Sequence, residues 1–251
     1  MTFLVFLLVA LAGAFVQTVS GFALGMILVA LAAGFNLVSL PVLTATVSLL
    51  SLANIVIALR TQTHHIDWRV WRMVSLGQVP AIGLGLVLMV QLHTSALASL
   101  QLLLGLFVFF GSLSMMRPNA VRATTSSRGA QLFAGISGGL CGGLFSASGP
   151  VMGWFFYRQP WPLAPIRATL LACFALTTSA RTLLVIGRGE LGAETVTLTL
   201  ASLPVIFLGT WLGGRWVDKI SVQVLRRWVF RLLLVMGGVI IGRALLALGI
   251  L

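Results

Sequence analysis

Two short breaks in apolar runs carry the residue types best suited to chemistry: Ser20-Gly21-Phe22 near the start of the chain and Ser148-Gly149-Pro150 past its middle. Where a chain turns inside an apolar medium and starts a new helix, the first backbone N–H groups lack partners and the positive end of the helix dipole lies behind them. Such a helix start is an anion site. Ser20 and Ser148 add hydroxyl donors, and Gln17 and Thr18 lie within one turn of the first break. Pro150 donates nothing but suits the first turn of a helix. Gly and Ser at these positions also fit a simpler role, that of letting helices pack closely.

Arg181 is the next candidate, because it lies inside an otherwise apolar run and a buried cation in a membrane is costly. It follows Thr177 by four residues and Thr178 by three, so all three share a helical face. Either it adds positive charge to a ligand pathway or it snorkels to the nearby surface. Arg167 shares that face but sits about 21 Å away along the helix, too far for the same small ligand. His64, His65 and Asp67 are irregularly spaced in a polar loop and do not form a metal set. No nucleophile–base pair, phosphate loop or ordered carboxylate pair occurs, so neither an enzyme, a metal nor a cofactor is expected. The carboxylates, Asp67, Glu190, Glu194 and Asp218, all fall in connections, which leaves no intramembrane acid to carry a coupling proton or sodium ion.

The elements that position these residues follow from composition. Of 251 residues, 59% are hydrophobic and 8% charged, and the mean hydropathy is +1.09. A soluble fold cannot hide that much apolar surface. Runs of about 20 apolar residues, the length a helix needs to cross a bilayer, recur along the chain. The fold class is therefore all-α, a polytopic membrane protein; short alternating strands, as in a β-barrel, are missing. The formal charge of +12 sits mostly in connections, where arginine orients helices, and no nucleic acid partner is implied. No Lys or Arg precedes Arg60, so the first segment lacks the basic start of a cleaved signal peptide and is expected to remain. Cys141 and Cys173 lie in apolar surroundings and read as packing residues.

The apolar segments fall at 1–35, 38–59, 73–91, 95–116, 130–157, 164–186, 192–214 and 222–251. Internal spacing suggests a duplication, with an N-terminal repeat at 1–117, a linker at 118–128 and a C-terminal repeat at 129–251. Ser20-Gly21 and Gly25 recur as Ser148-Gly149 and Gly153, Pro80 and Gly85 as Pro204 and Gly209, and Asn54 occupies the place of Arg181. The first segment, as one helix, would reach about 52 Å, so it must break. If it and the fifth segment both crossed the membrane, Arg60, Arg69, Arg72, Arg117, Arg122, Arg128 and Arg188 would face Arg158, Arg167, Arg215, Lys219, Arg226 and Arg227 with no asymmetry. If both are re-entrant hairpins, only Arg188 lies outside, as the positive-inside rule demands. Each repeat then holds a broken or re-entrant helical hairpin and three transmembrane helices, and the repeats are inverted, an arrangement that belongs to secondary transporters.

The sequence resembles the TauE/SafE family of sulfite exporters, also called the 4-toluene sulfonate uptake permease family, over essentially its whole length. The resemblance rests on Phe15-Val16-Gln17-Thr18-Val19-Ser20-Gly21-Phe22-Ala23-Leu24-Gly25, on Gly135 through Gly153, on Arg167-Ala168-Thr169-Leu170-Leu171 with Thr178-Ser179-Ala180-Arg181, and on Pro204, Gly209 and Gly213-Gly214. It implies transport of a small sulfur-containing anion such as sulfite, thiosulfate, sulfoacetate or a related sulfonate. Where the family often shows Gly-x-Gly-Gly before the proline, this chain has Ser146-Ala147-Ser148-Gly149-Pro150, and the added hydroxyls favour an oxyanion with several acceptors.

The expectation is an exporter working by alternating access in a bacterial cytoplasmic (inner) membrane, its partners the anion and the lipid bilayer. A negative charge leaving a negative interior gains about 2.3 kcal/mol per 100 mV, so export needs no coupling ion. The alternatives are an anion channel, or a membrane enzyme or assembly factor with no transported substrate. Homo-oligomerisation is left open. The expected substrate contacts are Gln17, Ser20, Gly21, Phe22, Asn54, Ser148, Gly149, Pro150, Thr177, Thr178 and Arg181.

Overall fold

A computed structural model of the chain describes residues 2–35, 38–116, 121–189, 191–217 and 219–250. Arg117, Pro118, Asn119, Glu190 and Asp218, used in the charge and linker arguments above, lie outside the described residues. The described residues form α1 (Thr2–Ser20), α2 (Leu24–Gly34), α3 (Leu40–Leu59), a 3-10 turn (Thr63–His65), α4 (Trp68–Ser95), α5 (Leu97–Met116), α6 (Arg128–Phe145), α7 (Gly149–Phe156), α8 (Leu163–Gly187), α9 (Ala193–Trp216) and α10 (Val222–Ala247). They contain no strand. Seven of these helices, α1, α3, α4, α5, α8, α9 and α10, are long and apolar enough to cross a membrane. The chain is a multi-pass helical membrane protein. Six glycines, with Arg128 and Gln131, keep the 18-residue α6 below that apolar standard.

The long first segment breaks where its excess length requires. α1 stops at Ser20, and the chain passes through Gly21 at φ +79° and Ala23 at φ +102° before α2 begins. Leu24 then lies against Gly13, where an added Cβ would sit 3.5 Å from the Leu24 Cα, so α2 doubles back along α1. The fifth segment breaks one turn earlier than its Gly-Pro pair suggests. α6 ends at Phe145, Ser146 takes φ +53°, and Gly149 and Pro150 open α7. The two hairpins have unequal arms: 19 and 11 residues in the first, 18 and 8 in the second.

Local capping sets boundaries that hydropathy does not reveal. α4 begins at Trp68, ahead of its apolar run, because the Asp67 carboxylate accepts from the amides of Arg69 and Val70, both at 3.0 Å. Pro80 and Pro204 sit inside α4 and α9 without ending them, as neighbouring helices in a membrane permit. Arg158 lies over Trp154 and Arg215 over Trp211, at 4.5 and 3.8 Å from the ring centres, pairing cations with rings near helix ends.

Helix contacts are made by small residues. α4 and α6 form the most extensive interface, with α1 against α9, α5 against α10 and α3 against α8. On α6, Gly135, Gly139 and Gly143 lie against the carbonyls of Val74, Gln78 and Ile82, too close for any side chain. Gly77 answers from α4, where a Cβ would come within 2.5 Å of the Leu132 carbonyl. Gly209 on α9 does the same against Leu11 of α1, also at 2.5 Å. Backbones that approach this closely gain dispersion contact along the whole seam, which drives association in lipid where apolar burial does not.

Gly139→Val should therefore force α4 and α6 apart and cost about 1–3 kcal/mol or more. Gly83→Ala, on the open face of α4 with nothing within 4 Å, should leave the melting temperature of detergent-purified protein unchanged or slightly raised. Equal melting temperatures for Gly139→Val and wild type would overturn the seam.

Candidate functional site

At the first tip, the backbone groups freed by the break are met by side chains. The Ser20 hydroxyl reaches the Val16 carbonyl at 2.7 Å and the Phe22 carbonyl at 2.8 Å. The Tyr157 hydroxyl donates to the Ser20 carbonyl at 2.6 Å, tying the end of the second hairpin to the tip of the first. Gln17 accepts the Leu24 amide on Oε1 at 3.2 Å, and its Nε2 is buried with no hydrogen-bond partner. Gly21 lies flat on Arg167, 2.9 Å separating an added Cβ from the Arg167 Cγ, while the Arg167 guanidinium donates to Gln62 Oε1 at 3.0 and 3.2 Å.

The second tip is held from α3 and α8. Ser146 Oγ lies 2.5 Å from Ser48 Oγ and donates to the Thr44 carbonyl at 2.9 Å. Arg181, 1% exposed, donates from Nε to the Gly143 carbonyl at 3.1 Å, from Nη1 to Ser48 Oγ at 3.2 Å and from Nη2 to Thr44 Oγ1 at 2.8 Å. It does not reach the surface. Ser148 stands at the N-cap of α7, yet its side chain makes no capping bond. Ala23 and Ser146, both non-glycine residues at positive φ, each store about 1–3 kcal/mol of strain that the surrounding bonds sustain.

The tips touch. Gly25 meets the Ser146 carbonyl too closely for a side chain, and an added Cβ on Gly149 would lie 3.2 Å from the Phe22 ring and 3.8 Å from the Ala23 amide nitrogen. Between them is a narrow cavity lined by five of the expected residues, Gln17, Ser148, Gly149, Thr177 and Thr178. The space open to a water centre is about 20 Å³, little more than one water needs.

The remaining expected residues stand around this cavity without lining it. Ser20 and Gly21 shape the tip as described. The Phe22 ring stacks on Phe230 at 5.8 Å and meets Tyr157 edge-on at 5.7 Å. Pro150 packs on Gly111, and Arg181 lies behind Ser146 and Ser48. Asn54 is fully buried and donates through Nδ2 to the Ala14 carbonyl at 3.1 Å, to Thr18 Oγ1 at 3.0 Å and to Thr210 Oγ1 at 2.7 Å, joining α3 to α1 and α9.

Ser146, one of the added hydroxyls noted in the sequence, also lines the cavity, as do Ser51, Met26 and Phe174, which were not singled out. A signal existed for Ser51: Thr44, Ser48 and Ser51 recur at helical spacing on one face of the otherwise apolar α3. Gln78 of α4 was equally visible as a lone polar residue; its Nε2 donates to Thr177 Oγ1 and, at 3.0 Å, to the Cys173 carbonyl.

A family model described as "Sulfite exporter TauE/SafE" matches residues 5–240. The chain belongs to the TauE/SafE family. It is 37% identical over 226 residues to a protein of Cupriavidus necator named "Probable sulfite/organosulfonate exporter TauE", covering 90% of this chain and 88% of that protein. No solved structure matches the chain. TauE/SafE membership places the chain among membrane transporters and agrees with its seven apolar helices.

The tip geometry of this TauE/SafE protein makes Arg181 a mechanical part. Arg181→Ala would leave the Gly143 carbonyl without its donor, and a buried unsatisfied group costs about 1–3 kcal/mol. The melting temperature should fall by several degrees, with Arg181→Lys between the two because it keeps the charge but loses the planar fork. An Arg181→Ala protein that melts like wild type would show that these bonds do not hold the tip.

Proposed function

We propose that this chain exports a small anion with a sulfur–oxygen head, of the sulfite or sulfonate class, across a bacterial cytoplasmic membrane by alternating access, and that the anion binds between the two hairpin tips. The observation that carries this reading is the buried Gln17 Nε2, a donor without a partner at a cavity where Ser148 also spends no hydroxyl on capping. Buried donors in native proteins are almost always satisfied, so an orphan at a cavity points to a ligand acceptor. The Cupriavidus necator relative, named for sulfite and organosulfonate export, supports the choice of anion.

Two repeats, 1–117 and 129–251 with 118–128 between them, are part of the proposal. The helix contacts support it: exchanging α1–α5 for α6–α10 turns α1 on α9 into α6 on α4, α3 on α9 into α8 on α4, and α2 on α10 into α7 on α5. All these pairs occur. Asn54 and Arg181 also exchange, each holding a carbonyl in the last turns of a hairpin's first arm. With the halves inverted, the basic loops face the cytoplasm. The barrier proposed on that side is the ring cluster of Phe22, Phe230 and Tyr157, with Arg226 at 4.1 Å over the Tyr157 ring. Movement of this barrier admits the anion, and the membrane potential drives it out.

Gly149→Val tests the site, because its side chain would press on Phe22 and fill the space between the tips. Sulfite or sulfonate binding and vesicle transport should be lost while the melting temperature holds; wild-type affinity in that variant would refute the site. The orientation is tested by cysteine labelling of whole cells. Gly189→Cys should react with an impermeant reagent and Thr63→Cys only after permeabilisation, and the opposite pattern would sink the inverted arrangement.

A further inference from the structure

We infer that the tip cavity is built for an anion carrying one negative charge, so that it takes hydrogensulfite and simple sulfonates and rejects sulfite dianion, sulfate and thiosulfate. The inference rests on the proposed binding of a sulfur anion between the tips and narrows its substrate class.

Its first support is the lining. Every polar side chain there, from Gln17 and Ser51 to Ser146, Ser148, Thr177 and Thr178, is an amide or a hydroxyl, and among the described residues no ionisable side chain lines the cavity. Arg181 and Arg226 stand behind the lining rather than in it. Arg181 directs donors to Gly143, Ser48 and Thr44, and Arg226 lies against the Tyr157 and Phe22 rings at 4.1 and 5.8 Å. An anion in the cavity therefore meets neutral donors and the starts of α2 and α7.

The second support is electrostatic. Each helix start carries about half a positive charge, so the pair matches about one negative charge. The amides of Gly25 and Met26 precede the first closing bond of α2, Ile27 N–H to Ala23 O, and belong to cavity residues. Taking an ion out of water costs an amount that grows with the square of its charge, so a dianion loses about four times what a monoanion loses. With no cation in direct contact, the lining does not offset that difference. Gln17 supplies the point of attachment, since its Nε2 is buried, unpartnered and part of a side chain only 3% exposed.

The third support is the apolar part of the lining, the side chains of Met26 and Phe174. That suits a small apolar substituent such as the methyl of methanesulfonate once the tips part, whereas sulfate would turn a charged oxygen to it. Sulfite gains a proton near neutral pH to become a monoanion, while a sulfonate is singly charged throughout. The two substrates thus separate the effect of ligand charge from any change in the protein.

The test uses the full chain in proteoliposomes, with sulfite and methanesulfonate transport and binding followed from mildly acidic to mildly basic pH. Affinity for total sulfite should fall about tenfold per pH unit on the basic side, following its monoanion, while methanesulfonate stays level. Sulfate and thiosulfate should not compete. Sulfite affinity that stays level or rises with pH, or competition by sulfate equal to that by methanesulfonate, overturns the charge selection and leaves the sulfur-anion reading standing. Failure to bind either sulfite or methanesulfonate at any pH overturns both.

Discussion

The constraint on which the rest of this structure depends is that two helices break inside the protein, in a membrane, where freed backbone groups have no water to turn to. The polar residues of the interior answer that constraint. Ser20 serves the carbonyls of Val16 and Phe22, Tyr157 serves that of Ser20, and Gln17 accepts the first amide of α2. At the second break the Ser146 amide closes on the Gly142 carbonyl, and Arg181 covers Gly143. Once these are assigned, the side-chain groups left unspent at the described tips include Gln17 Nε2 and the uncapped hydroxyl of Ser148.

Asn54 and Arg181 then read as variants of one solution. Both leave α3 or α8 to grip the first arm of a hairpin, and both also bind hydroxyls on a third partner: Thr210 for Asn54, Thr44 and Ser48 for Arg181. The difference lies in charge and reach. The longer, forked side chain of Arg181 spans from α6 to α3, whereas Asn54 works at closer quarters and leaves its Oδ1 without a donor.

Much of this was legible in the sequence, and the parts that were not have physical reasons. The breaks at Ser20-Gly21 and before Gly149-Pro150 follow from segment length and turn chemistry, and both are present. The start of α4 was not visible, because Asp67 extends it through Trp68 and Arg69, outside the apolar run that marks a span. The cavity's Met26, Ser51 and Phe174 come from three helices, and no local pattern says which faces will converge. Arg226 is the clearest case. In sequence Arg226, Arg227 and Arg231 form one basic cluster at the start of the last apolar segment, but residues 226 and 227 point about 100° apart on a helix. Arg226 turns inward over Tyr157, Arg227 is exposed, and Arg231 stays outside over Trp228 at 5.2 Å.

The glycine seams have a consequence for how the chain is made. α6, with six glycines in 18 residues, is a weak helix and a poor candidate for insertion by itself. Its natural companion is α4, which leaves the ribosome earlier and must wait with its own glycine face uncovered. α1 waits longer still, since its companion α9 is made only after all the described helices between them. Neither half of the chain can therefore complete its helix packing before the other has been made, and a ribosome that stalls between them releases a membrane polypeptide with two unfilled seams.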